Sequence, residues 1–308
     1  MNSHALQLAS RPACSQPAPG PTSVRLAASP AELHAAQRLR YQVFFEEWGA
    51  IPDDITAREQ RDIEPFDLLS DHLIVVDQRR ADAGMNCGVV GNYRLLRRCA
   101  DNPRPPFYSA SEFDIAPLLD SGNSLLELGR SCVLPEYRSR PVLQALWTAL
   151  ADYVNQHRIE LMFGCASFRG TDASAIAEPL AYLHHHHLAP ALLRPHALPT
   201  HRVDMNRLQD RFIDPVRAMR HMEPMIRGYL RLGAGVGCGA ALDRQFNSID
   251  ICIVLPTRDL AARYARHYAR GRSAALLQPG TVTEPATAVQ PCHRGLQHVG
   301  GVAAPERC

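Results

Sequence analysis

The sequence predicts an α/β fold built on a mixed sheet, and three observations carry that reading. Some segments repeat apolar residues at helical spacing. Others are short alternating or continuous apolar runs. The two kinds are interleaved along the chain.

Ser29 and Pro30 supply a helix cap and a first-turn proline, and Leu33, Ala36, Leu39, Val43 and Phe44 follow at helical spacing. Residues 49–71 are acidic and irregular and are expected as loop. A hairpin is predicted next, from a strand at 72–76, small and polar turn residues at 81–86 and a strand at 89–96. After a proline-rich loop at 101–111, residues 124–133 predict a central strand. An amphipathic helix at 141–156 follows, organised around Val142, Leu146, Ala149, Leu150 and Tyr153. Then come a strand at 159–163, helices at 176–187 and 215–222, strands at 228–232 and 249–255, and a closing helix at 258–270. Residues 1–22, rich in Ala, Pro and Ser, are expected to be a disordered arm, and 271–308 a disordered tail. That leaves 23–270 as the folded domain.

The composition narrows the function class. The chain has 308 residues, 46% hydrophobic, and a formal charge of +2, which exerts little pull on nucleic acid or membrane. All 33 basic residues are arginine, a side chain that meets carboxylates and phosphates in bidentate fashion. Nine cysteines occur without a C-x-x-C pair, which indicates a reducing compartment rather than disulfides or structural zinc. No stretch has the length and apolarity of a membrane span, so a cytoplasmic location is expected, with peripheral contact at the inner membrane left open.

The run from Leu126 to Arg138 (LELGRSCVLPEYR) is the most informative. Strict alternation puts Glu127, Gly129 and Ser131 on one face of the strand, and Leu126, Leu128 and Arg130 on the other. Two charges inside an apolar central strand are costly unless they pair or perform chemistry. A partly buried carboxylate has a raised pKa, which suits Glu127 to take a proton from an amine near neutral pH. The strand end also delivers the following helix N-terminus, where anionic groups are favoured.

The sequence resembles the ornithine–acyl-carrier-protein N-acyltransferases, which share the GCN5-related N-acetyltransferase fold and are related to acyl-homoserine-lactone synthases. The carriers are RLRYQVF ending at Phe44, Phe66-Asp67, Asp71-His72-Leu73, GNYRLL from Gly91, Glu127 to Ser131, FGCASF from Phe163, YLHHHHLAP from Tyr182 and GYLRLGA from Gly228. Together they span about residues 23–270. The resemblance implies a three-layer fold with a mixed, mostly antiparallel sheet, and transfer of a 3-hydroxyacyl group from acyl carrier protein to the α-amine of L-ornithine. On this pattern Glu127 is the base and Arg130 organises the site, while Tyr182 stands where related acetyltransferases protonate the leaving thiolate. Arg40, Phe44, Glu64, Asp67 and Arg94 are implied on the substrate side, with Trp48 at a shorter spacing than the pattern has. Amides near Ser131 and Val133 are expected to meet the thioester carbonyl, and Arg138 and Arg140 the acidic carrier protein. The stretch from Arg138 to Leu143 lacks the glycines of a pyrophosphate cradle, which fits a carrier-protein donor. Glu46, Glu47, Glu64, Asp67 and Asp71 are the candidates for the distal ammonium of ornithine. No cofactor or metal is expected; of the run His184–His187, only a pair such as His184 and His187 can share a helix face. Acylation of another amino acid, lactone formation and a non-catalytic lipid-binding role are the rival readings.

Overall fold

The computed structural model describes residues 21–84, 86–98 and 106–258. The closing helix, the tail and most of the N-terminal arm expected from the sequence lie outside the described residues. The strands are β1 (Thr22–Leu26), β2 (Asp71–Asp77), β3 (Val89–Arg97), β4 (Phe113–Asp114), β5 (Leu125–Val133), β6 (Leu161–Arg169), β7 (His196–Ala197), β8 (Arg202–Val203), β9 (Gly235–Val236), β10 (Ala240–Asp243) and β11 (Ser248–Pro256). The helices are α1 (Pro30–Tyr41), α2 (Asp54–Glu59), α3 (Gln78–Asp82), α4 (Ala116–Leu119), α5 (Arg140–Gln156), α6 (Ala177–His186), α7 (Pro215–His221) and α8 (Pro224–Arg231).

The main sheet runs β1-β2-β3-β5-β6-β11-β10-β8, with β9 also paired to β11, and a small second sheet joins β4 to β7. Every pairing is antiparallel except that of β5 with β6. This is the mixed, mostly antiparallel sheet the sequence predicts. Alternation sorts its core onto two faces. Met162, Ile251 and Ile253 belong to a cluster that includes Leu146 and Leu150 of α5 and Ile226 of α8. Their neighbours Leu161, Phe163, Cys252 and Val254 belong to a second cluster, with Phe107, Phe113 and Leu118. No helix among the described residues is long and apolar enough to cross a membrane.

One departure from regularity positions everything that follows. β5 and β6 are nine residues each but pair only over Leu125–Glu127 and Leu161–Phe163. Beyond that point they splay apart, although β6 keeps unbroken register with β11 along its whole length. Gly164 sits at the fork with φ +156°, and a Cβ there would lie 2.2 Å from the Leu128 carbonyl oxygen.

Three sequence expectations change. The segment expected as a strand at 228–232 lies mostly in α8, because Pro224 starts a helix and Ile226, Tyr229 and Leu230 recur at helical spacing toward the core. β1 (Thr22–Leu26) precedes the first element expected, near Ser29 and Pro30, and pairs with β2 through a polar sequence that does not advertise a strand. The acidic stretch at 49–71 holds α2 and a 3₁₀ turn at Pro65–Leu69.

Replacing Gly164 with valine should force the fork open or strain it, at a cost of about 1–3 kcal/mol. Urea denaturation should show a lowered midpoint; a midpoint equal to wild type would show that the fork is not tightly closed at that residue.

Candidate active site

A cavity of about 540 Å³ opens at the fork, lined by both diverging strands from Glu127 to Val133 and from Cys165 to Arg169. It passes through the sheet. On the face of the first cluster it is apolar, bounded by Leu143, Leu146, Trp147 and Leu150 of α5 and by Met225, Ile226 and Tyr229 of α8. Leu143 and Met225 are exposed at its rim. On the other face it is polar, with Glu127, Tyr108, Ser109, Cys165, Asp243 and Asp250 in the lining.

Glu127 is 3% exposed. The amide of Ser109 donates to its Oε1 (2.7 Å) and the amide of Tyr108 to its Oε2 (2.9 Å). Burial raises its pKa, against the pull of those two amides. It is therefore a fixed carboxylate facing the cavity, biased toward holding a proton.

Arg130 reaches the cavity by a route that alternation does not foresee. Asn92 pairs with Cys132 and Arg94 with Gly129, so two residues of β5 stand opposite one of β3. This is a β-bulge, with Arg130 at φ +50° and its carbonyl accepting from Asn92 Nδ2 (3.0 Å). The extra residue turns Arg130 away from the face that strict alternation assigns it and toward Arg94, which lies against Gly129. Both arginines bond Glu64.

These two belong to a larger buried ion cluster. Arg40 binds Asp62 through Nε (2.9 Å) and Asp67 through Nη2 (2.7 Å), Arg94 reaches Glu64 and Asp67, and Arg130 reaches Asp62 (3.2 Å) and Glu64 (2.5 Å). Three arginines face three carboxylates, so the cluster is neutral. Burial alone would raise the Asp67 carboxyl, yet hydrogen bonds and charge from Arg40 hold it well below the usual range. Gln37 Nε2 also donates to Asp67 (2.9 Å). The Arg130 guanidinium lies over the rings of Phe246 (4.2 Å) and Tyr108 (4.8 Å), which completes its confinement.

The other sequence-predicted residues divide clearly. Phe44, Arg94, Ser131, Val133 and Arg138 line the cavity, as does Trp48. Arg40, Glu64 and Asp67 are outside the lining and pair within the ion cluster behind the wall. Tyr182 is also outside the lining, its ring against His186 (4.9 Å) and His187 (5.2 Å) at the end of α6. Arg140 begins α5 as an exposed residue outside the lining. Arg138 stands at the mouth, paired with Glu47 (2.5 Å), which Arg169 shares (2.9 Å). Asp71 accepts from the Tyr153 hydroxyl (2.6 Å) and lies near Arg97. In the histidine run, His186 meets Asp210 (2.9 Å) and His185 the Leu208 carbonyl (3.0 Å).

Sequence reasoning missed an acidic group on the polar side. The potential ligand atoms of Glu112, Cys165 and Asp250 lie within 4.8 Å of one another. Tyr108 donates to Glu112 Oε1 (3.0 Å), and the Cys165 thiol to Glu112 Oε2 (3.4 Å). Burial and the charges of Asp250 and Asp243 push Glu112 up to about 8. Burial likewise lifts Asp250, to about 6. A signal existed: Asp250 interrupts the apolar run from Ile249 to Leu255, as Glu127 interrupts its own strand.

An acetyltransferase (GNAT) domain family matches residues 39–148. The chain is 44% identical over 255 residues to an L-ornithine N(alpha)-acyltransferase of Rhodobacter capsulatus, covering 82% of this chain and 96% of that protein. It is 41% identical over 251 residues to the enzyme of the same description from Agrobacterium fabrum, covering 81% and 85%. Among solved structures it resembles an N-acyl amino acid synthase from uncultured soil microbes, with a TM-score of 0.42 at 14% identity, covering 79% of this chain and 94% of that one.

Truncating Arg40 to leucine strands buried carboxylates and should cost about 3–5 kcal/mol in denaturant unfolding; a loss below about 1 kcal/mol would mean the cluster contributes little. Glu112 has a folded pKa raised above its ordinary value of 4.5, so its contribution to stability is full below 4.5 and is lost as pH rises toward about 8. Glu112→Gln should therefore be more stable than wild type at pH 8 and no more stable at pH 4.5. The reverse order of denaturation midpoints would overturn the assignment.

Proposed function

The chain belongs to the L-ornithine N(alpha)-acyltransferase family, and from that membership we propose that it moves a 3-hydroxyacyl group from acyl carrier protein to the α-amine of L-ornithine. The observation that carries the reading is a single cavity through the splayed sheet, with an apolar arm on one face and a fixed carboxylate, Glu127, on the other. The two substrates would approach from opposite sides and meet at the fork.

The apolar arm between α5 and α8 suits an acyl chain, whose burial there contributes about 0.8 kcal/mol per methylene. The edge of β5 that β6 abandons after Glu127 supports a role for amides near Ser131 and Val133 in polarising the thioester carbonyl. Glu127 takes the proton that the α-ammonium must lose before attack, directly or through a water. The free amine attacks the thioester carbon, the amide C–N bond forms, and the C–S bond breaks to release the pantetheine thiol. Tyr182 is not assigned to that thiol. Arg94 and Arg130 act in this scheme by position: they shape the wall with the carboxylates behind them, and the charge of Arg94 lowers the Glu127 pKa against the larger, raising effect of burial. Arg138 and Arg169 at the mouth suit an acidic carrier protein. The reaction on this reading needs no cofactor or metal, and it takes place in the cytoplasm or at the inner membrane face.

Purified protein incubated with 3-hydroxyacyl carrier protein and L-ornithine should release thiol and form N-acylornithine, read by mass spectrometry. Glu127→Gln keeps the size of the side chain but accepts from only one of the two amides, and should lower kcat by about 100-fold or more while the thermal transition persists. Turnover at the wild-type level would remove Glu127 from the mechanism.

A further inference from the structure

Of the acidic residues first considered for the distal ammonium of the acceptor, Glu46 is exposed and outside the cavity lining, and the others are committed elsewhere: Glu64 and Asp67 to the arginine cluster, Glu47 to Arg138 and Arg169, Asp71 to Tyr153 and Arg97. The polar side of the cavity holds a different set. Asp250 is 4% exposed, lines the cavity, and its Oδ1 has no hydrogen-bond partner. Asp243 lines the same wall; its Oδ1 caps the following turn by accepting from Gln245 and Phe246 amides, and Tyr108 donates weakly to its Oδ2 (3.5 Å). Glu112 stands behind, bonded to Tyr108 and Cys165.

Alternation along β6 and β11 puts these groups on the face of Glu127. Cys165 shares its face with Leu161 and Phe163, and Asp250 shares its face with Cys252 and Val254. Glu127 and the acidic set are also linked through one residue: Ser109 donates its amide to Glu127, and its Oγ lies 3.6 Å from Cys165 Sγ. Among the described residues, none of Glu112, Asp243 and Asp250 forms an ion pair, and the nearby guanidinium of Arg130 is held by Asp62 and Glu64. A buried carboxylate oxygen without a donor is costly, and a cation placed against it recovers that cost.

We propose that Asp250, with Asp243 beside it, binds the distal ammonium of the acceptor and so selects a diamino acid over its apolar analogue. The inference rests on the reading of the cavity as an acyl-transfer site. With the δ-ammonium on Asp250, the α-amine of a short diamino acid is directed back toward Glu127 and the fork. Burial first, and then the charge of neighbouring carboxylates, lifts the Glu112 and Asp250 pKa values, which agrees with a pocket that a substrate cation would stabilise.

The test compares L-ornithine with 2-aminopentanoate, which has the same chain length and no distal amine, as acceptors for 3-hydroxyacyl carrier protein. Wild type should prefer ornithine by about 100-fold or more in kcat/KM. Asp250→Asn should cut that preference by about 30-fold, chiefly by raising the KM for ornithine. Asp243→Asn should cut it in the same direction, and serves if the first variant does not fold. Equal losses on both acceptors, or an unchanged preference, would overturn the subsite while leaving ornithine acylation standing. Loss of activity on a chelator, restored by a divalent ion, would also overturn it, because the acidic group would then be a metal site. Wild-type protein that acylates no ornithine would sink the acyl-transfer reading and the subsite with it.

Discussion

Two neighbouring strands that stop pairing after three residues set the terms for this molecule. A continuous sheet would present two closed faces, and nothing could pass between them. The parting of β5 and β6 beyond Glu127 opens a slot through the middle of the core and exposes a strand edge inside it. The slot is affordable because β6 stays fully paired to β11 on its other side, and β5 stays paired to β3 on both sides of its bulge. Gly164 makes the fork sharp, since only a residue without a Cβ fits against the Leu128 carbonyl.

The charges are arranged around that slot in two contrasting ways. Behind the β5 wall, three arginines and three carboxylates cancel. Removing any one partner would leave a buried charge without compensation, so the cluster holds α1, the turn at Pro65–Leu69 and the bulged strand in one arrangement. On the opposite side of the slot, acidic groups stand close together without a cation, and burial with mutual repulsion raises their pKa values. The first arrangement fixes geometry, and the second leaves an unmet electrostatic demand facing the cavity. That difference, more than the number of charged residues, separates supporting groups from groups that await a substrate.

Much of the site was legible in the chain, but unevenly. A carboxylate in an apolar central strand marked Glu127, and the same reasoning applied to β11 would have marked Asp250. The side of Arg130 was not legible, because period-two alternation holds only while pairing is regular, and the bulge against Asn92 adds a residue. Arg40, Glu64 and Asp67 carry motif positions, yet motif membership does not distinguish a residue that touches substrate from one that braces a wall. Tyr182 illustrates the same limit: its spacing suits a proton donor, but α6 packs it against histidines away from the cavity.

By itself the sequence determined the alternation of helices and strands, the central strand with its carboxylate, the start of α5 after it, and the family. These depend on local periodicity, capping and turn chemistry, which operate over a few residues. Only the tertiary structure decided which charges cancel, where β5 and β6 part, and that groups from residues as distant as Tyr108 and Asp250 share one cavity. Those are outcomes of long-range pairing and burial, and an electrostatic environment exists only once residues far apart in the chain have been brought within a few ångströms of one another.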